Sequence, residues 1–241
     1  MSVAATYKLG ARLFWRDKSM LAGSVITPVG LTIGMPLLMR HVQADGVAWA
    51  TQTFYGSTAL VLSITGFMNI AVALSMRRDQ LVLKRLRSTM LTDAQILAGE
   101  IASTVTQTVA LVIGCLLAVR FLADVPFPDN PVVFVAAVLG GAVCVAVLGA
   151  AYTVAIPRAE LAAAMTVPVF LVCGIGAGAM GPLLDLLPSW VRAGFDLLPT
   201  SAAVHAMKTG EFAAPALNLA VWTLAGLVAI RLWFRWEPRR S

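Results

Sequence analysis

The densest group of charged residues in the chain lies in residues 77–100, between two apolar runs. Five members are basic and three are acidic: Arg77, Arg78, Lys84, Arg85, Arg87, Asp79, Asp93 and Glu100. Charges of both signs on one short segment can recognise a partner by electrostatic complementarity. The alternative is that the segment is basic only because it lies on the cytosolic side of a membrane. In either case we interpret residues 77–100 as a partly helical cytosolic loop.

Motifs for covalent or metal chemistry are absent from the sequence. It contains no G-x-x-x-x-G-K-[ST], no H-E-x-x-H and no G-x-S-x-G. The only histidines are His41 and His205. Cys115, Cys144 and Cys173 fall inside apolar runs, in an odd number and without metal-ligand spacing. We therefore expect a chain that is not an enzyme and binds neither a metal nor a cofactor.

The composition is that of an integral membrane protein. The 241 residues are 59% hydrophobic and 12% charged, with a mean hydropathy of +0.83. Soluble domains carry about 25% charged residues. The basic pI of about 9.7 would suggest nucleic acid in a soluble chain, but the positive-inside bias of membrane proteins explains it more simply. We expect a lipid environment and no nucleic-acid partner.

Charged residues divide the sequence into six long uncharged runs. A helix needs about 20 apolar residues to cross a hydrocarbon core of about 30 Å, and lipid forces backbone groups to bond internally. The sequence thus predicts an all-α membrane protein with six transmembrane helices, as a single domain over residues 1–241. The runs are Ser19–Met39, Gly46–Met76, Ile101–Val119, Asn130–Pro157, Leu161–Leu184 and Phe212–Ile230.

The distribution of Lys and Arg predicts the orientation. With the amino terminus inside, cytosolic segments hold 14 of the 18 basic residues, as the positive-inside rule requires. Both termini and the loop 77–100 are then cytosolic.

Two further segments are predicted at the membrane interfaces. In residues 1–18, Lys8, Arg12 and Arg16 form one helical stripe, which favours an amphipathic interfacial helix over a disordered basic leader. Residues 182–211 form a long but apolar external connection in which Leu-Leu-Pro occurs twice. We interpret it as a re-entrant hairpin of two short helices in the outer leaflet. Trp49, Gln52, Phe54 and Tyr55 look like an aromatic belt at the outer interface.

Polar residues inside the spans are few. Near the cytosolic end of the third span, Glu100, Ser103, Thr104 and Gln107 share one helical face. They could wet the mouth of a substrate path or bond a neighbouring helix; Asn69 in the second run is a further candidate for such a path. Gly174-xxx-Gly178 is a small-residue pattern that could pack within the chain or between subunits. Since no charged residue lies mid-span, energy for transport would have to come from elsewhere.

The order of these segments resembles the ABC-2 type transporter permeases, most closely those similar to drug-resistance exporters of actinobacteria. The segment Leu83-Lys84-Arg85-Leu86-Arg87-Ser88-Thr89-Met90-Leu91 is similar to the family's LKRLR-S/A-T-P-L motif, followed by Asp93-Ala94-Gln95-Ile96-Leu97-Ala98-Gly99. Leu187-Pro188-Ser189-Trp190 and Leu198-Pro199 resemble its hairpin signature. Met90 stands where the family's motif usually has proline, so a turn at this position is expected to be less rigid than in the family.

The resemblance implies that the loop forms a coupling helix that docks on a separate ATPase subunit, present in two copies and binding ATP and Mg. The implied ATPase-coupling residues are Lys84, Arg85, Leu86, Arg87, Ser88, Thr89, Met90, Leu91 and Asp93. Among these, Leu86, Met90 and Leu91 could form an apolar anchor with charged residues at its rim. The resemblance also implies a second permease chain, as a homodimer or a heterodimer.

The function expected from this resemblance is export of a lipophilic or amphipathic small molecule, such as a drug or secondary metabolite, across a bacterial plasma membrane. A permease for glycolipid or polysaccharide, and a membrane anchor or sensor without transport, stay open as alternatives. A third alternative is an energy-independent carrier or an intramembrane enzyme. The lack of charged residues within the spans counts against this alternative.

Overall fold

The computed structural model describes residues 22–44, 47–80, 92–179 and 187–234. These residues are almost entirely helical, apart from a two-residue antiparallel ladder between β1 (Gln43–Ala44) and β2 (Val47–Ala48). The predicted interfacial helix, residues 1–18, lies outside the described residues. The helices are α1 (Thr27–Met39), α2 (Trp49–Asp79), α3 (Asp93–Leu122), α4 (Pro131–Tyr152), α5 (Ala159–Gly176), α6 (Ser189–Asp196), α7 (Pro199–Thr209) and α8 (Ala213–Trp233).

Five of the described helices, α2, α3, α4, α5 and α8, are long and apolar enough to cross a membrane. The structure therefore agrees with an all-helical integral membrane protein. The first predicted span corresponds to α1, which has 13 residues, and to the π-helical segment Ala22–Ile26 that leads into it. Because α1 is shorter than a span and the residues before Ala22 are not described, the sixth span stays a prediction.

Helix α2 forms the centre of the bundle. Its most apolar stretch is 72% buried, compared with 17% for α8, and it packs against α1, α3, α4, α5 and α7. Several buried hydroxyls of α2 bond to their own helix: Ser57 Oγ donates to Thr53 O at 2.6 Å, and Ser63 Oγ donates to Ala59 O at 2.7 Å. A buried hydroxyl that is satisfied in this way needs no partner on another helix.

The middle of α2 is π-helical, from Leu62 to Met68. At this segment α4 approaches closely, because a Cβ at Gly149 would lie 2.5 Å from the carbonyl oxygen of Phe67. Only glycine allows two helix backbones to pack at this distance.

The ends of α2 and α5 also meet through glycine. A Cβ on Gly56 would overlap the backbone carbonyl of Gly178, and a Cβ on Gly174 would lie 2.5 Å from Leu60 Cδ2. Gly178 has a φ of +78° just beyond α5, a conformation that favours glycine. The Gly174-xxx-Gly178 pattern therefore packs against α2 of its own chain, as the intrachain alternative predicted.

Replacement of Gly56 by alanine is expected to destabilise the folded chain by roughly 1–3 kcal/mol, since the new methyl group meets a backbone carbonyl that cannot rotate away. Thermal unfolding in detergent, followed by circular dichroism, measures the effect. Gly114→Ala is the matched control, because no atom lies within 4 Å of a Cβ at this position of α3, and it should leave stability unchanged or raise it. Equal melting temperatures for the two variants would contradict this packing.

The predicted aromatic belt is wrong for two of its members. Phe54 and Tyr55 are buried, and the ring of Tyr55 packs edge-on against Phe134 of α4, with a centroid distance of 6.4 Å. Their side chains face the bundle because tertiary packing turns this side of α2 inward, which the composition of the segment does not indicate.

Residues 187–211 of the predicted external hairpin contain two short helices, α6 and α7. Each begins at a Leu-Leu-Pro corner: Pro188 precedes α6, and Pro199 is the first residue of α7. Gly210 ends α7 with a φ of +74°. Most of α7 is buried, with α4 among its neighbours, whereas α6 has no buried residue. A position of this hairpin within the outer leaflet stays a prediction.

Candidate functional site

Helix α2 continues beyond its apolar run, which ends at Met76, for three charged residues: Arg77, Arg78 and Asp79. Together with Glu100 of α3, these residues form what we call the basal cluster. We call the end of the bundle that contains it the basic end, and the end that contains α6 and α7 the hairpin end. Consecutive helical residues point about 100° apart, so the three side chains of α2 contact three different parts of the chain.

Arg78 binds the turn between α4 and α5. Its side chain is buried, and the residue is only 3% exposed. Nη1 donates to the carbonyl of Thr153 at 3.1 Å, and Nη2 donates to the carbonyl of Ile156 at 2.8 Å. The planar guanidinium holds both carbonyls in a fixed geometry. Because Thr153 and Ile156 are themselves buried, Arg78 satisfies backbone groups that water does not reach.

Asp79 caps a helix to which it does not belong. Its Oδ2 accepts a hydrogen bond of 2.7 Å from the backbone N–H of Ala159, the first residue of α5. The residue before α5, Arg158, provides no side-chain cap. A carboxylate at this position satisfies a free N–H group and is favoured by the positive end of the helix dipole. Asp79 also contacts Arg78, whose Nε lies 3.4 Å from Oδ1.

Arg77 and Glu100 join α2 to α3. Arg77 Nη1 and Glu100 Oε1 form an ion pair whose side chains are only 11% and 6% exposed. Beyond this ion pair, neither atom has a hydrogen-bond partner among the described residues. Each charge therefore depends on the other for its compensation in a buried environment.

A capping box determines where α3 begins. Thr92 Oγ1 accepts from the N–H of Gln95 at 3.3 Å, and Gln95 Oε1 accepts from the N–H of Thr92 at 3.0 Å. Asp93 is the first helical residue, where a carboxylate is favoured. Because α2 extends to Asp79 and α3 begins at Asp93, both ends of the partly helical loop predicted over residues 77–100 are helical.

Most of the predicted ATPase-coupling residues lie outside the described part of the chain. This applies to Lys84, Arg85, Leu86, Arg87, Ser88, Thr89, Met90 and Leu91, all within residues 81–91. Asp93 is described, at the start of α3. The structure therefore describes the two attachment points of the loop, at the basal cluster and at the capping box.

The predicted path residues lie within the bundle. Gln107 Nε2 donates to Ser103 Oγ at 3.1 Å on α3. Ser103 is buried and Gln107 is half-buried. Asn69 is buried at the end of the π-helical segment of α2. Burial of Ser103 within one chain favours the helix-packing alternative for this residue, and a role of any of the three in a substrate path stays a prediction.

The sequence did contain a signal for the basal cluster. It is missed when each apolar run is taken to end at the first charged residue. The residues Arg77, Arg78 and Asp79 follow an apolar helix with no glycine, proline or other turn residue between. The helix can therefore continue and carry these charges into contact with neighbouring elements. The partners at Thr153, Ile156 and Ala159 could not be predicted, because they are backbone groups and carry no residue signature.

A comparison with known protein families decides the class of the molecule. The sequence model of the ABC-2 type transporter family matches residues 3–212, which is most of the chain. The chain belongs to the ABC-2 type transporter family. The resemblance to ABC-2 permeases is thereby confirmed. A search of curated proteins found no match.

Membership in the family establishes the general role of the chain. An ABC-2 membrane domain is a transporter permease, and such permeases in general associate with an ABC ATPase and dimerise. The permease domain is generally not catalytic and binds no cofactor itself. In this permease, the basal cluster links the base of the basic loop to the spanning helices α3 and α5 and to the α4–α5 turn.

Proposed function

We propose that this chain is the permease subunit of an ATP-driven exporter whose separate ATPase docks on the basic loop. The observation that supports this proposal best is the basal cluster, which ties the base of the loop to three other parts of the bundle. Permeases of this family in general associate with an ABC ATPase, which supports an ATPase partner as the source of energy. The lack of charged residues within the spans favours a lipophilic or amphipathic small molecule as cargo, as does the resemblance to drug-resistance exporters.

The basal cluster supplies a physical route from the loop to the spans. A displacement of the end of α2 pulls on α3 through Arg77 and Glu100, and on α5 through Asp79 and Ala159. Separating the buried charges of Arg77 and Glu100 is costly, because water does not replace the lost contact. The end of α2 and its partners therefore move together, so that work done on the loop reaches the spanning helices.

Within the loop, we assign docking to two kinds of residue. Leu86, Met90 and Leu91 form the apolar anchor, while Arg85 and Arg87 pair with acidic groups of the ATPase at the rim. The remaining members of the docking segment are Lys84, Ser88, Thr89 and Asp93. Asp93 is half-exposed at the start of α3, a position from which it can contact a docked subunit.

In the assembly that we propose, two permease chains, identical or homologous, bind two ATPase subunits. The basic end and both termini face the cytosol of a bacterial cell, as the distribution of Lys and Arg favours. The cargo leaves through a path to which Asn69, Ser103 and Gln107 contribute polar contacts.

Simultaneous replacement of Arg85, Leu86 and Arg87 by alanine is expected to remove the ATPase from the purified complex. The substitution deletes part of the apolar anchor and two rim charges, and such anchors typically carry most of the binding energy of an interface. The measurement is purification of the tagged chain from its native host in mild detergent, followed by detection of a P-loop protein and of ATP hydrolysis in the eluate.

Arg239→Ala/Arg240→Ala is the control, since it removes the same number of positive charges from another basic segment. It should retain the ATPase. If the triple variant also retains the ATPase and export continues, docking does not occur on this loop. If an ATPase co-purifies but deletion of the chain leaves export unchanged, the chain is an anchor or sensor and not a permease.

A further inference from the structure

The hydrogen-bond ladder of α2 changes register in the middle of the helix. Over Leu62–Met68 the bonds are π-helical, and the N–H of Asn69 donates to the carbonyl of Ile64, five residues earlier, where an α-helix would use that of Thr65. Such turns are rare, and they are one of the few causes of a sharp bend in a helix. Proline, another cause, does not occur in α2. The π-helical segment is therefore the point at which α2 bends most readily.

The neighbouring helix α5 is interrupted near its middle by Pro168. Proline has no N–H group, so the carbonyl of Ala164, four residues earlier, receives no helical hydrogen bond from this position. The side chain of Pro168 is exposed on the surface of the bundle, so alanine could take its place without leaving a cavity. Helix α5 therefore bends most readily at Pro168.

The two interruptions lie at the same level of the bundle, because α2 and α5 run antiparallel. Asp79 caps the start of α5 at the basic end, and Gly174 lies against Leu60 towards the hairpin end. A helix rises about 1.5 Å per residue. Equal steps along both helices from either contact place Pro168 opposite Gly66–Ile70. This range overlaps the π-helical segment.

Side-chain packing agrees with this level. Met68 is the last residue of the π-helical segment, and Phe170 follows Pro168 by two positions. Both side chains pack against the same small apolar cluster, which consists of Leu60, Ile64 and Ala179.

The helices α3 and α4 leave room for a bend in α2 at this level. Helix α4 ends at Tyr152, three residues after the glycine, Gly149, that contacts Phe67. Most of α4 therefore lies beside the part of α2 that precedes the π-helical segment. Helix α3 contains no proline and is α-helical throughout, so it can tilt as one rod.

We propose that Leu62–Met68 and Pro168 together form a hinge, at which the basic-end halves of α2 and α5 bend as a unit against their hairpin-end halves. The basal cluster joins the two basic-end halves, and the contact of Gly56 with Gly178 joins the other two. A break in one helix alone would leave its neighbour as a brace, whereas breaks at one level in both helices allow them to bend together. The source of the movement rests on the function proposed above, in which the ATPase acts on the basic loop.

The test is Pro168→Ala in the full-length chain, studied by thermal unfolding and by hydrogen exchange with mass spectrometry in nanodiscs. Alanine restores an N–H donor within α5, so the variant should unfold at a higher temperature than the native chain. In the native chain, N–H groups of Gly66–Asn69 should exchange faster than those of Ala59–Val61, although both stretches lie inside the bundle. Because the hinge spans both helices, Pro168→Ala should slow exchange at Gly66–Asn69 by roughly tenfold.

Pro131→Ala is the matched control. Pro131 is also an exposed proline of a spanning helix, but it is the first residue of α4, where a missing N–H breaks no helical hydrogen bond. This variant should leave exchange at Gly66–Asn69 unchanged. Exchange there that is as slow as at Ala59–Val61 in the native chain, or that Pro168→Ala does not alter, would overturn the inference.

Transport separates a hinge from a proline that only weakens α5. Pro168→Ala should keep its ATPase but export less cargo for each ATP hydrolysed, by roughly tenfold, while Pro131→Ala equals the native chain. A more stable Pro168→Ala with undiminished export per ATP would overturn the hinge. If no ATPase co-purifies with the native chain, the proposed function fails, and the exchange comparison, which needs no ATPase, still decides the hinge.

Discussion

Replacement of Arg78 by alanine is expected to destabilise the chain by about 3 kcal/mol or more and to abolish transport. The substitution removes the hydrogen bond that Arg78 donates to the buried carbonyl of Ile156, and one of the two that the carbonyl of Thr153 accepts, the other coming from the N–H of Ile156. A buried carbonyl that loses its donor bears the cost of its desolvation. The substitution also opens a cavity, because Arg78 is almost fully enclosed. Thermal unfolding in detergent and export from cells that express the variant at native level measure the two effects.

The matched control is Arg158→Ala, which removes the same charge from an exposed side chain at the same end of the bundle. Surface substitutions of this kind usually change stability by about 0.5 kcal/mol or less. Arg78→Lys is an informative intermediate variant. Lysine keeps the charge but cannot bind the two backbone carbonyl oxygens in the fixed geometry of a guanidinium. If Arg78→Lys equals the native chain in both stability and transport, a positive charge alone is sufficient, and the two directed hydrogen bonds have no role.

Removal of one partner of the Arg77–Glu100 pair is expected to cost far more stability than removal of both. Arg77→Met or Glu100→Met alone leaves one buried charge without its partner, which typically costs about 3–5 kcal/mol. The double variant replaces the ion pair by apolar side chains, and such replacements are often neutral or stabilising. A double-mutant cycle of thermal stability should therefore give a large interaction energy, with the double variant close to the native chain.

The same double variant tests whether the pair transmits movement. If the ion pair carries displacement of α2 to α3, the double variant keeps its fold and its ATPase but transports less cargo for each ATP hydrolysed, by roughly tenfold for a typical coupling energy. Recovery of both stability and transport would show that the pair has only a structural role. Val133→Met, a substitution at the far end of α4, controls for a general effect of an added methionine and should leave the ratio of transport to hydrolysis unchanged.

Much of the molecule followed from residue types alone. The long uncharged runs predicted the spanning helices, because lipid admits few charges and forces backbone groups to bond within the helix. Five of the runs correspond to helices long enough to span. The Leu-Leu-Pro corners predicted where α6 and α7 begin, since proline has no N–H to donate and fits the first turn of a helix. The motif around Lys84–Leu91 predicted the family.

Only the tertiary structure showed which groups the charged residues of α2 bind and which face of that helix is buried. Arg78 and Asp79 bind backbone groups more than 70 positions away in sequence, and backbone carbonyls and N–H groups are the same in every residue. The side of α2 that carries Phe54 and Tyr55 faces the core because α4 packs there, which the composition of the segment does not indicate. Within a membrane, hydrophobicity indicates which residues form a helix, but packing and hydrogen bonding determine which face of that helix its neighbours cover.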